Sequence, residues 1–253
     1  MDKYIVFVGD SFCGSYSRNE WEAHGRNRWQ MPADTPAWPS LLSRKLGLNP
    51  RYHGYCGKSW WYSRYHFFQN CRHLLANNKL EVVIFCHTDP VRTPTKSEAV
   101  VNVIVPETEE EKILAKAQDM YRAYLFDNEF GVWARNSWIK EIKELSQNIP
   151  KVIQFNCFNR DIFNASNYSG MCYNTPLDLI NAAQYSGNQT QAIERSLKDH
   201  IPNHFTVLNN VAMTDFIASA IDNYQPGVYD IDISKFHLVN DNVNFWVANK
   251  TFA

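Results

Sequence analysis

The sequence predicts an α/β domain built on a parallel sheet covered by helices on both faces, and three observations carry that expectation. Residues 4–8 (YIVFV), 81–86 (EVVIFC) and 151–155 (KVIQF) are short, mostly apolar runs rich in β-branched and aromatic residues, the pattern of strands with neither face in water. Segments of helical periodicity lie between them. No internal repeat and no linker-like stretch divides the chain. Alternation of this kind favours parallel pairing, because each crossover is a helix that packs back on the sheet.

The elements follow in order. After the strand at 4–8, residues 12–36 lack periodicity and hold several Gly, Asn and Pro residues, so a long loop is expected. Residues 37–46 place Leu41, Leu42 and Leu46 at helical spacing, with Gly47 positioned to end the helix. A short strand is expected at 51–55. Residues 60–75 carry Trp60, Arg64, Phe67, Phe68, Cys71, Leu74 and Leu75 on one helical face. Beyond the strand at 81–86, the charge run 107–112 reads as a solvated first helical turn, with acids suited to the N-terminal dipole. Two helices are expected at 109–126 and 132–148, interrupted near Gly131. Residues 159–190 are polar and rich in Asn and Ser, a loop with one helix at 177–185. A capping hydroxyl, Thr206, opens a helix at 206–224 with Met213, Phe216, Ile217, Ala220 and Ile221 on one face. Pro226 and Gly227 then break the chain before a strand-like stretch at 228–233. The expected organisation is one domain, 1–224, with a C-terminal extension, 225–253.

Composition narrows the function classes. Of 253 residues, 45% are hydrophobic and 20% charged, with only ten Gly and eleven Pro, which excludes a disordered or low-complexity chain. Lys and Arg total 25 against 26 Asp and Glu. That balance leaves no broad basic footprint for a phosphate backbone, so nucleic acid is not an expected partner. No stretch reaches the roughly 18 consecutive apolar residues that cross a bilayer, and the apolar run at the N-terminus is too short for a signal peptide. The six cysteines are dispersed without a C-x-x-C pair, and several sit in apolar runs. Reduced, buried thiols and a cytoplasmic location are the expectation. His87 and Asp89 have no evident further ligands, so no metal is expected.

The sharpest chemical signal is Gly9-Asp10-Ser11, directly after the first buried strand. In open α/β sheets ligands bind at the carboxyl ends of the strands, where a serine following a glycine bend presents its hydroxyl. These residues are also ordinary turn formers, so position gives the motif its weight. Cys56-Gly57-Lys58-Ser59 follows the short second strand. Cys86-His87-Thr88-Asp89 follows the strand at 81–86, and His204 precedes the last amphipathic helix.

In this order the blocks resemble the SGNH (GDSL-type) hydrolases, a resemblance spanning residues 4 to about 222. It implies a flavodoxin-like three-layer α/β/α fold with a central, mostly parallel sheet, and an ester-cleaving activity without cofactor. Ser11 would be the nucleophile and His204 the general base. Backbone N–H groups of Ser11 and Gly57 would hold the oxyanion, assisted by Thr88 where the family carries Asn. The third block departs from the family pattern, with Cys86 where the family has Gly. The orienting acid departs as well: Ile201, not Asp, stands three residues before His204, leaving Asp199, with His237 as the alternative base and Asp232 ahead of it. A serine needs a base within reach, whereas its orienter is replaceable at a cost in rate.

Asp89 and Arg92 are candidate substrate contacts. The aromatic stretch 52–68 is expected to be mostly core, with Trp61 or Tyr62 available for stacking on a sugar. The implied substrate is a small-molecule or glycan ester, for which an O-acetylated carbohydrate is the leading class. The oligomeric state is left open. A rival reading keeps the fold without the catalysis, as a binding or assembly module of a larger particle. Its contact surfaces would be the insertions 12–36 and 159–190, the tail, and the Arg- and Trp-rich loop 21–38.

Overall fold

A computed structural model describes residues 2–14, 37–55, 58–90, 92, 108–158, 162–183 and 205–237. The chain forms a six-stranded sheet in the order β2-β1-β3-β4-β5-β6, with every neighbouring pair parallel. The strands are β1 (Tyr4–Asp10), β2 (Asn49–Tyr55), β3 (Leu80–His87), β4 (Lys151–Asn156), β5 (Met171–Tyr173) and β6 (Gly227–Tyr229). The helices are α1 (Trp38–Leu46), α2 (Trp60–Ala76), α3 (Glu109–Tyr124), α4 (Asn128–Leu145), α5 (Leu177–Ala183) and α6 (Val207–Asp222). The fold is the expected three-layer α/β/α architecture, with the doubly wound order 2-1-3-4-5 extended by one edge strand.

Two core clusters show how the layers form. Successive strand residues point to opposite faces. Ile5, Phe7, Val82, Ile84, Ile153 and Phe155 therefore pack with Trp38 and Leu42 of α1 and Met213 and Ile217 of α6. Val6, Val8, Val83, Phe85 and Val152 face the other way, onto Phe67, Cys71 and Leu74 of α2 and Trp138 and Ile142 of α4. Burying each such side chain contributes about 1.5–3 kcal/mol, so both faces of β1, β3 and β4 are held.

The structure departs from expectation in three places. The break between α3 and α4 falls at residues 125–127, where the Asp127 side chain accepts hydrogen bonds from the Glu129 and Phe130 amides. Gly131 lies inside α4: a Cβ there would come within 2.8 Å of the Pro90 carbonyl oxygen, so its missing side chain lets the helix close on the end of β3. The polar region 159–190 contains β5, three residues long. Of the segment expected as an appended tail, 225–253, the described part, residues 225–237, joins the sheet and core: β6 pairs with β5 and Ile231 and Phe236 pack beside α6; residues 238–253 lie outside the described residues.

Candidate functional site

β1 runs two residues further than its apolar core, through Gly9 and Asp10, and Ser11 opens a 3-10 turn, Ser11–Cys13. Gly9 has φ +139°, and a Cβ there would collide with the carbonyl of Cys86. Only glycine lets the ends of β1 and β3 close together at this point. The strand order makes that closure consequential. The chain leaves β1 for β2 on one side and returns to β3 on the other, so the crevice between the ends of β1 and β3 is the topological switch point where doubly wound sheets bind ligands.

Asp10 is the hub of that crevice. It is fully buried. Its Oδ1 accepts the Ser11 hydroxyl at 2.6 Å, and its Oδ2 accepts the Thr88 hydroxyl at 3.0 Å and the Arg92 guanidinium. The Arg92 guanidinium also lies 4.8 Å over the ring of Phe158, which packs edge-on against Phe12 at 5.7 Å. Three donors from two segments, the turn after β1 and the stretch after β3, thus converge on one carboxylate, satisfying the charge that burial would otherwise penalise.

The geometry revises two expected roles. The single hydroxyl proton of Thr88, 2% exposed, is given to Asp10, so it is not directed at an oxyanion. Arg92 has its charge matched by Asp10 and is in the first place a clamp. Ser11 itself is 1% exposed.

Position 11 is nevertheless tied to the start of α6. The ring of Phe12 lies 5.7 Å from that of Phe205, and both are buried. The Trp38 indole donates to the Phe12 carbonyl at 2.7 Å, while the Trp38 amide donates to Asn210 Oδ1 at 2.7 Å. His204, Asp199 and Gly57 lie outside the described residues. His237 is held beside the first turn of α6. Its backbone is bonded in both directions to the side chain of Asn209, and it lines a groove of about 630 Å³ along α6 with Tyr173, Val211 and Lys235. Asp232 spends its carboxylate on the Ser234 amide and hydroxyl, which accounts for its lowered pKa.

The remaining candidates separate clearly. His87 is a core imidazole: its Nε2 lies 2.8 Å from Gln154 Oε1, and its ring stacks on Phe85. Burial brings its pKa down to about 4, so it is neutral at pH 7. Asp89 is half-buried and supports the charge of Arg135 on α4. Among the described residues, no group of three or more His, Cys, Asp or Glu side chains could hold a metal. Trp61 is 44% exposed, with the Arg64 guanidinium 5.1 Å over its ring and Arg64 itself paired twice to Glu141. Tyr62 is buried, which leaves Trp61 as the open aromatic of that pair.

Two features were not anticipated from the sequence. Arg135 is 5% exposed, and its Nε and Nη1 have no hydrogen-bond partner among the described residues. Burial lowers its pKa to about 10. Beneath Asp10, the thiols of Cys13 and Cys157 both reach the Cys86 thiol, and the Cys13 thiol donates to the Asp10 carbonyl at 3.2 Å. Burial pushes Cys157 up to about 11 and Cys86 well above the ordinary thiol value, so these two are protonated, unreactive floor residues. The placing of cysteines just past the ends of β1 and β4 and near the end of β3 was the available signal for them. No family model, curated protein or solved structure matches this chain.

Proposed function

We propose that this chain is a serine hydrolase that cleaves an ester through an acyl-enzyme, with an O-acetylated carbohydrate as the substrate class. The observation that carries the reading is the contact of Phe12 with Phe205. It joins the residue after Ser11 to the residue after His204, across nearly two hundred positions, at the switch point of the sheet.

In this mechanism Ser11 attacks the acyl carbonyl as His204, oriented by Asp199, takes its proton and passes it to the leaving alcohol. The N–H groups of Ser11 and Gly57 hold the oxyanion, each such donor contributing about 3–4 kcal/mol. Water then releases the acyl group by the same route. Asp10, Thr88 and Arg92 set the position of the serine turn rather than touching substrate. No step calls on a cofactor.

The burial of Ser11 and the donation of its hydroxyl to Asp10 favour a second reading, a catalytically silent module of a larger assembly. A fluorophosphonate probe separates the two. An adduct on the intact protein that disappears in Ser11→Ala and slows in His204→Ala is the expected result. Folded protein that gives no adduct and no turnover of 4-nitrophenyl acetate sinks the hydrolase reading.

A further inference from the structure

Helix α3 is the least buried of the helices among the described residues. Only Gln118 of its described side chains is buried, with Leu114 and Tyr121 half-buried on the same side. Beside that packed side runs a second apolar stripe: Ile113, Ala117, Met120 and Tyr124 are all exposed, the tyrosine by 81%. At 3.6 residues per turn these four lie within about 60° of one another. Leu125 in the corner at 125–127 and Phe130 and Trp133 beyond it are also exposed, and the last two rings lie 5.8 Å apart.

We propose that this stripe is the interface of a two-fold dimer, in which α3 packs antiparallel against α3 of a second copy. Two observations choose that occupant. The spacing of the stripe, four, three and four residues, is the alternation of a helix–helix seam, and it reads the same in both directions. A two-fold axis between positions 118 and 119 therefore brings Ile113 opposite Tyr124 of the second copy and Ala117 opposite Met120. Small then faces large at the centre, the complementarity that interdigitated packing requires. An isologous interface demands this self-match, and an unrelated partner does not.

The second observation is area. On the scale of about 150–250 Å² for a whole aromatic side chain, the seven exposed residues offer roughly 800 Å² per copy, about half from the stripe and the rest from Leu125, Phe130 and Trp133 at its end, so a two-fold contact that takes in the α4 rings reaches what each partner of a standard interface contributes. A membrane surface is the poorer occupant. Glu109, Glu110 and Asp119 offset Lys112, Lys116 and Arg122 along the helix, so there is no basic face for anionic lipid.

Sedimentation velocity on the full chain, over roughly 1–100 µM, tests the interface where one of this size becomes visible. The expected species has twice the monomer mass. Ala117→Lys and Met120→Glu each weaken association at least about tenfold with unchanged circular dichroism, since both positions are exposed. Mixing the two variants restores a dimer. The lysine introduced in one copy then faces the glutamate introduced in the other, while the second contact stays wild-type. Tyr124→Ser, a milder change, replaces either variant should it fail to fold. A wild-type monomer across the whole range overturns the proposal. So does a dimer indifferent to all three variants, or a mixture that associates no better than its components.

Discussion

Asp10 and Arg135 are both buried charges near the carboxyl ends of β1 and β3, and the fold treats them in opposite ways. Asp10 is saturated: the Ser11 and Thr88 hydroxyls and the Arg92 guanidinium all donate to it. Arg135, on the face of α4 that Gly131 brings against Pro90, makes one weak bond to Asn136 at 3.3 Å. Its Nε and Nη1 have no acceptor among the described residues, and Asp89 supports its charge electrostatically. The difference teaches that burial alone does not identify a structural charge. A carboxylate that collects three donors from the ends of two strands fixes their geometry, whereas a cation short of acceptors costs stability.

Removing the saturated charge has the largest expected effect. Asp10→Ala leaves the Arg92 guanidinium without its counter-charge and takes the Asp10 acceptor from two buried hydroxyls. Breaking such a pair costs about 3–5 kcal/mol, which for a chain of this length lowers Tm by about 10 °C. Thermal unfolding followed by circular dichroism measures it. A loss of under about 1 kcal/mol would mean that Arg92 and Thr88 find equal partners elsewhere, and Asp10 would no longer be the hub.

Removing the starved charge is expected to act in the opposite direction. Arg135→Met retains most of the apolar stem of the side chain while deleting a buried cation with two idle donors. Substitution of buried charges by apolar groups of like volume is neutral or stabilising by about 1–4 kcal/mol, and the low end applies here because Asp89 loses some support. A rise in Tm is the expected readout. A fall would show that the Arg135 donors are satisfied by acceptors such as bound water, and the contrast with Asp10 would fail.

The two charges also differ in how far the sequence announced them. Ser11 and Asp10 stand in a recognisable motif after a legible strand. β1, β3 and β4 were legible because both of their faces are buried, and such strands read as continuous apolar runs. β5 and β6, three residues each, are too short to carry a period, so the tail looked detached. Gly131 suggested a helix break because glycine is a poor helix former. Its real constraint is the approach of Pro90, about forty residues away in the chain, which no local pattern carries. The partners of Asp10 were hidden for the same reason: Thr88 and Arg92 lie 78 and 82 positions off. Arg135 sits in a helical segment whose burial depended on knowing where β3 ends.

The smallest expected change in stability separates structure from catalysis most sharply. Thr88→Val preserves shape and deletes one of the three donors to Asp10, leaving Ser11 and Arg92 in place. One hydrogen bond of this kind contributes about 1 kcal/mol, so Tm falls by only a few degrees. The rate decides the role of the residue. If the hydroxyl serves Asp10 alone, ester turnover falls by less than about tenfold, whereas loss of an oxyanion donor lowers kcat by roughly 10²–10³. The observed bond to Asp10 predicts the smaller loss. A roughly thousandfold loss at nearly unchanged stability would mean that Thr88 turns from Asp10 to the substrate during the reaction, and that the Asp10 cluster rearranges in turnover.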